Sequence, residues 1–265
     1  MNRDRLSEAV SALNELVFRL RGPGGCPWDA VQTDDTVKMY LIEEAYEVLD
    51  AIDNKSSEDV REELGDLIFQ IFFLSALALE REEFDLAGVI EGITEKMIRR
   101  HPHVFGGKTV TGTSEVSDNW ERIKREEKKG DNSPLSRLRS VPVNLPSLLR
   151  AHRLSERAAK VGFDWSGKEE IWEKVKEEFL ELTTAIDEND DNKVREETGD
   201  LMFSLVNLAR HWGHNSEQLM MDANRKFIKR FERMEAELLA SGSGIEEADM
   251  DEMDRVWESI KRSER

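Results

Sequence analysis

Five acidic residues stand at the same spacing at two places in the chain, and their types could do chemistry. Three form the motif EExxE, and after fifteen intervening residues two more form the motif ExxD. Each acid of the second set lies 134 residues after its counterpart. The first set is Glu43, Glu44, Glu47, Glu63 and Asp66, and the second is Glu177, Glu178, Glu181, Glu197 and Asp200. Carboxylates placed close together repel one another unless a cation lies among them.

The helical periodicity places these acids beside the core. In the first set Leu41, Ala45 and Val48 share one apolar helix face, and the three glutamates fall beside that face. After Asp66 the sequence becomes apolar on all sides, so the ExxD acids lie where a second helix enters the core. If the two helices pack antiparallel, we expect the five acids to converge at a half-buried site.

A metal site and a solvated acidic surface are the two interpretations of such a cluster. Glu-rich helix faces are usually solvated, and for one copy alone this alternative is favoured. Three observations favour a metal site. The acids border the core, their spacing recurs without change, and most of them have no Lys or Arg one helical turn away. Oxygen-only ligands suit a hard divalent cation, so the sequence predicts Mg²⁺, with Mn²⁺ as the second choice.

Basic and aromatic residues downstream could hold a phosphorylated ligand. A Lys/Arg pair one helical turn apart could bind phosphate, and a later tryptophan could stack on a base. A solvated pair and a packed tryptophan are the alternatives. The candidates are Lys174, Lys193, Lys226, Arg230 and Trp257 with the second set, and Lys96, Arg100 and Trp120 with the first. We interpret His101 and His103 as loop residues, because the second copy lacks them.

One difference between the copies points to the second as the catalytic one. Asn207 and Arg210 stand where the first copy has Phe73 and Ala76. Asn207 follows Asp200 by seven residues, on nearly the same side of the helix, where its amide could bond a sugar or base.

The acids belong to a longer internal repeat of about 120 residues, a usual size for one domain. We predict a first domain at 1–130, a linker at 131–146, where prolines interrupt any helix, and a second domain at 147–265. Each is predicted to be an all-α bundle. The predicted helices are 4–21, 36–54, 57–82 with Ser57 as N-cap, 85–100 and a short one at Trp120, then 168–188, 190–212, 216–240 and 251–262.

Composition excludes several classes of protein. The net charge of −18 and the absence of a long basic cluster argue against a nucleic-acid partner. The single cysteine, Cys26, excludes an intrachain disulfide. The longest apolar stretch, 67–79, is too short to span a membrane, and the first residues do not form a signal peptide. We therefore expect a cytoplasmic protein without a membrane partner.

The whole chain resembles the MazG family of nucleoside triphosphate pyrophosphohydrolases. The matching segments are LIEEAYEVLDAI with REELGDLIFQ, RRHPHVF, VGFDW, REETGDLMFSLVNLARH, KFIKRF and VWESIKR. The resemblance implies tandem domains of the all-α NTP pyrophosphatase type, a homodimer, and Mg²⁺-dependent hydrolysis of NTPs and dNTPs, ATP included, to monophosphate and pyrophosphate. It further implies that the five acids of the second copy bind metal and that its Lys, Arg and Trp candidates contact the nucleotide.

The remaining assignments concern catalysis. Glu178 is the candidate general base, because it lies nearest the apolar border, and Glu181 is the second catalytic candidate. Glu196 and Asn207 complete the predicted substrate-binding set. Because the first copy keeps all five acids, it is a possible second site. A narrower dUTPase-like dNTP hydrolase and a non-catalytic helical scaffold that binds a basic protein are the alternative functions.

Overall fold

A computed structural model describes residues 3–127, 133–242 and 244–264. Within these ranges the chain forms thirteen α-helices and no strand, which confirms the predicted all-α class. The first seven helices are α1 (Arg3–Arg21), α2 (Pro27–Ala30), α3 (Asp34–Asp53), α4 (Ser57–Glu80), α5 (Leu86–Arg100), α6 (Pro102–Phe105) and α7 (Thr113–Glu127). The other six are α8 (Pro134–Arg139), α9 (Ser147–Ala159), α10 (Lys168–Asp187), α11 (Asp191–His211), α12 (Ser216–Ser241) and α13 (Met250–Ser263).

The chain divides into two compact units, Met1–Glu127 and Lys128–Arg265. The segment predicted as a linker contains helix α8, so the expectation that prolines exclude a helix there was wrong. Pro134 stands in the first turn of α8, where the helix needs no backbone N–H donor. Residues 128–132, which include the predicted end of the first domain and the start of the linker, lie outside the described residues.

The long helices lie within a few residues of their predicted bounds, and the short helix predicted at Trp120 is part of α7, which is 15 residues long. The N-cap of α4 is Ser56 and not Ser57, because the Ser56 hydroxyl accepts a hydrogen bond of 3.2 Å from the Asp59 N–H. The sequence also failed to indicate α2, α6 and α9. His103 lies in α6 and His101 caps it, so these histidines are not in an extended loop.

A tight turn joins the two acid-bearing helices of each unit. In the first unit Lys55 adopts a left-handed backbone conformation between α3 and α4, with φ of 57°. Asn189, at the equivalent place between α10 and α11, has φ of 54°. Such a conformation reverses the chain within a few residues, so the two helices pack antiparallel along their length. The acids of the first helix therefore face those of the second.

Each unit has its own apolar core. In the first unit, buried side chains of α1, α3 and α4 pack together; they are Val17, Val37, Phe72, Phe73, Ala76 and Leu77. In the second unit, α12, α13 and the segment between them pack through Met234, Leu238, Ala248 and Ile260. Among the described residues, no helix combines the length and the hydropathy that crossing a lipid bilayer requires.

The packing of α12 against α13 can be tested with two neighbouring leucines. Leu238 is fully buried, whereas Leu239 is 70% exposed. We expect Leu238→Ala to lower the free energy of unfolding by about 2–5 kcal/mol, because it leaves a cavity in the core. The control, Leu239→Ala, should change it by less than about 0.5 kcal/mol. Denaturant unfolding followed by circular dichroism measures both, and equal effects would contradict the assigned packing.

Candidate metal and nucleotide site

Three of the five acids in the second unit converge on one point. Glu178 from α10 and Glu197 and Asp200 from α11 each offer a carboxylate oxygen, and these oxygens lie within 4.8 Å of one another. Glu178 is buried, Glu197 is half-buried and Asp200 is exposed. The cluster therefore has a buried floor and an open side toward solvent.

The first unit repeats this arrangement with Glu44, Glu63 and Asp66, again with oxygens within 4.8 Å of one another. Two of the other predicted acids, Glu47 and Glu181, are exposed at the margin of the clusters. Each still raises the pKa of the half-buried glutamate of its cluster, Glu63 or Glu197.

The EExxE glutamates that come first in the two motifs, Glu43 and Glu177, are exposed and outside the converging sets. The structure thus brings together three of five predicted ligands in each unit, and the equivalent three in both.

Burial and like charge raise the pKa of these carboxyls. For Glu197 the largest cause is removal from water, followed by the charges of Glu181 and Glu178. For Glu44 the largest cause is also burial, with Asp66 adding to it. A raised carboxyl pKa means that the ionised form is destabilised in this arrangement. A cation among the oxygens would relieve that repulsion.

The two units compensate their buried glutamate differently. In the second unit the Lys174 ammonium donates to Glu177 Oε1 at 2.7 Å and lies 2.8 Å from Glu178 Oε1. These two carboxylates raise the pKa of Lys174 well above its ordinary value. Tyr40 occupies the place of Lys174 in the first unit, where Glu44 accepts a 3.3 Å hydrogen bond from the Gln70 amide. In the described part of the chain, the buried glutamate thus pairs with an ammonium group in the second cluster and with an amide in the first.

The donor set fits a magnesium ion. Both clusters consist of carboxylates alone, and Mg²⁺ prefers oxygen ligands at about 2.1 Å. Neighbouring oxygens on one octahedral ion of this size lie about 3 Å apart, and opposite ones about 4.2 Å apart. The three carboxylate oxygens, which lie within 4.8 Å of one another, would therefore have to move closer by up to about 2 Å, which changes of side-chain rotamer can supply.

The predicted phosphate and base contacts of the second unit lie on other helices. Lys226 and Arg230 are on α12 and Trp257 is on α13, and neither helix has a Cα within 8 Å of α10. Lys226 is exposed. Trp257 packs against the α12–α13 core, with its ring centroid 5.4 Å from that of Phe227. Helix α12 instead contacts α11, the helix that carries Glu197 and Asp200.

The two predicted arginines already have carboxylate partners. Arg230 donates to Glu264 through Nε at 2.8 Å and Nη2 at 2.7 Å. Arg100 donates to Glu127 through Nε at 2.9 Å and Nη2 at 2.5 Å.

The other first-unit candidates lie near Arg100. Its guanidinium is 5.4 Å from the centroid of Trp120, which makes an edge contact with His101. Lys96 is half-buried.

The other predicted contacts lie on α11. Lys193, in its first turn, pairs with Glu188 at 2.8 Å, and Glu196 is exposed. Asn207 is 1% exposed, and its amide donates to the Phe203 carbonyl at 3.0 Å. The Asn207 side chain is thus buried in this arrangement. Its contact with a sugar or base therefore stays a prediction.

A polar cluster at the end of α11 was missed by the sequence reasoning. Arg210 and His211 both bond to Asp164, with Arg210 Nη1 at 2.9 Å and His211 Nε2 at 3.0 Å. Arg210 and His211 together lower the pKa of Asp164 from 3.8 to about 2. Asp164 lies within the VGFDW segment, which carries part of the family resemblance. Its partners are distant in sequence, so no spacing rule indicates them.

The first unit anchors the equivalent loop from a different helix. Arg21, at the end of α1, donates to the Asp29 carbonyl at 2.6 Å and to Glu80 at 2.8 and 2.7 Å. Its guanidinium lies 5.0 Å from the ring centroid of Phe73. Phe73 and Ala76 thus leave room for an arginine from α1, where the second unit has Asn207 and Arg210.

The fold and the paired acid clusters define a class of protein: an all-helical protein built from two copies of one domain, each with a cluster of carboxylates suited to a divalent cation. The model of the MazG nucleotide pyrophosphohydrolase domain matches residues 32–105 and 166–234, and each segment contains one cluster. The chain belongs to the MazG family. As a member it is an enzyme, and the alternative of a non-catalytic scaffold does not apply.

Full-length relatives agree with this assignment. A nucleoside triphosphate pyrophosphohydrolase of Escherichia coli (strain K12) is 42% identical over 258 residues, which cover 96% of this chain and 98% of the relative. The nucleoside triphosphate pyrophosphohydrolase/pyrophosphatase MazG of Thermotoga maritima is 41% identical over 259 residues, which cover 97% of this chain and 98% of the relative.

The Asp164 cluster gives a pH-dependent prediction. Because the pKa of Asp164 is lowered to about 2, its ionised form stabilises the fold fully above about pH 4, and this contribution is lost as the pH falls toward 2. We expect Asp164→Asn to reduce the free energy of unfolding by about 1–2 kcal/mol at pH 7. Urea unfolding at several pH values should show the difference from the wild type shrinking below pH 4. A difference that grows there would contradict the assignment.

Proposed function

We propose that the chain hydrolyses nucleoside triphosphates, with ribose or deoxyribose and with ATP among them, to the monophosphate and pyrophosphate, and that Mg²⁺ is the cofactor. The observation that carries the proposal is the convergence of Glu178, Glu197 and Asp200 within 4.8 Å on a family scaffold of this activity. Mn²⁺ is the second candidate ion. The proposed role is removal of excess or non-standard nucleotides in the cytoplasm.

The proposed roles of the residues follow from their places. Glu178, Glu197 and Asp200 hold the ion, which when bound neutralises charge on the phosphates. Glu181, exposed beside Glu197, and Glu178 are the two candidate general bases that orient and deprotonate a water for attack at the α-phosphorus. Pyrophosphate then leaves with the bridging oxygen.

Lys174 supports the proposal that the second unit is the catalytic one. It pairs with Glu178 and Glu177 in the absence of substrate, and it could move to a phosphate if a metal ion took its place at Glu178. The first unit has no cation at this place, because Tyr40 stands there.

We propose that the chain acts as a homodimer. On α10 and α11 large apolar side chains remain exposed, among them Trp172 at 46%, Phe179 at 63% and Leu205 at 46%. A groove of about 740 Å³ lies along the same helices. It is lined chiefly by apolar residues, namely Trp172, Leu205, Leu208, Ala209, Trp212 and Leu219. An exposed apolar surface of this kind is typical of a subunit interface.

The reaction and the catalytic unit can be tested together. Purified protein is incubated with each NTP and dNTP, with Mg²⁺ or with a chelator, and pyrophosphate and orthophosphate are measured separately. We expect Mg²⁺-dependent pyrophosphate release, reduced at least about 100-fold in Glu197→Gln/Asp200→Asn because metal ligands are removed. The matched control, Glu63→Gln/Asp66→Asn, should retain most of the activity.

Three outcomes would contradict parts of the proposal. Release of orthophosphate in place of pyrophosphate would exclude attack at the α-phosphorus. Turnover of a single deoxynucleotide would favour the dUTPase-like alternative. Loss of activity in the first-unit control, with activity intact in the second-unit variant, would place catalysis at Glu63 and Asp66.

Metal binding has a readout that does not depend on turnover. Mg²⁺ at about 100 times its Kd should stabilise the folded second unit by about 2.7 kcal/mol, because it binds the native cluster only. We expect a higher melting temperature with Mg²⁺ for the wild type and a much smaller rise for Asp200→Asn. An equal rise in both proteins would show that this cluster does not hold the ion.

A further inference from the structure

In each unit a glutamate pairs with the arginine that is predicted to contact phosphate. Glu264 bonds the guanidinium of Arg230 with two donors, at 2.8 and 2.7 Å. Glu127 bonds that of Arg100 in the same way, through Nε and Nη2 at 2.9 and 2.5 Å. Each glutamate follows the repeated tryptophan, Trp257 or Trp120, by seven residues. The pairing is therefore a property of both copies.

The geometry of these pairs resembles that of a bound phosphate. In both units the same two nitrogens of the guanidinium, Nε and Nη2, donate to one carboxylate oxygen, an arrangement that a phosphate oxygen can replace. The pairs are also shielded: the side chains of Arg230 and Arg100 are only 20% and 15% exposed.

Other cations concentrate on the same carboxylates, although they differ between the units. Arg233 lies 3.3 Å from Glu264, and the charge of Lys226 also acts on it. In the first unit the second cation is Arg99, at 2.6 Å from Glu127. The two units thus share one pair: the arginine that is expected to contact phosphate and the glutamate bonded to it.

We propose that Glu264 is a resident substitute for a substrate phosphate, and that it sets the affinity of the second unit for nucleoside triphosphates by competing with them for Arg230. This rests on the proposed function, and it takes Arg230 as the phosphate contact that the family resemblance implies. The nucleotide binds Arg230 only after the glutamate has moved away. The competition lowers affinity while leaving the acid cluster and its chemistry unchanged.

The test compares Glu264→Gln with wild type in the full-length chain, using the best NTP substrate with Mg²⁺. We expect KM to fall about fivefold with kcat within about twofold, which corresponds to about 1 kcal/mol of competition. Inorganic pyrophosphate, as a competitive inhibitor, should bind more tightly by a similar factor. Arg230→Ala should raise KM at least about tenfold, because it removes the contact itself.

The matched control is Glu237→Gln on α12, the helix that also carries Arg230. Glu237 lies 4.0 Å from Arg233, and no bond joins it to Arg230. The control makes the same change in net charge, so its KM should stay within about twofold of wild type. An equal fall in KM for both variants would show a general charge effect and overturn the proposal.

A structural clip is the competing explanation for Glu264, and its outcome is distinct. If the pair only fastens α13 to α12, Glu264→Gln lowers the melting temperature and leaves KM unchanged or raises it, which overturns the proposal. A wild type without turnover refutes the proposed function itself. A wild type with normal turnover and an unchanged KM in Glu264→Gln refutes this inference alone.

Discussion

The repulsion among three carboxylates is the interaction on which the rest of each unit depends. Glu178, Glu197 and Asp200 are brought within 4.8 Å, and burial and like charge raise the pKa of Glu197. Packing between α10 and α11 must overcome that repulsion, and the tight turn at Asn189 fixes how the two helices face each other. In the first unit the tight turn at Lys55 orients α3 and α4 in the same way. The arrangement contains an unfavourable interaction that a divalent cation would relieve.

The two units show that this constraint fixes the acids and leaves their surroundings free to differ. Lys174 neutralises the buried glutamate in one unit, and Gln70 bonds it in the other. The loop before the first acidic helix is likewise anchored by Arg210 from α11 in one unit and by Arg21 from α1 in the other. The side chains that bond the equivalent glutamate and the equivalent loop therefore come from different parts of the chain in the two units.

The sequence was informative where the physics is local. Helical periodicity predicted the long helices, and the common spacing of the acids predicted that they face one another. It could not predict the partners of long charged side chains, because Asp164 and Arg210 lie 46 residues apart and Arg230 and Glu264 lie 34 apart. Adjacent serines at 56 and 57 offer equivalent caps in sequence, and only the hydrogen bond to Asp59 distinguishes them.

The hairpin turn has a consequence for how the chain can change in length. The acids keep an offset of 134 residues between copies, whereas Lys96 and Lys226 are 130 apart and Trp120 and Trp257 are 137 apart. One residue inserted into α11 before Glu197 would rotate Glu197 and Asp200 by about 100° relative to the start of that helix. Insertions and deletions have thus been accommodated between hairpins and not within them. The number of residues from the first acid to the last is therefore constrained, whereas the rest of the repeat can vary in length.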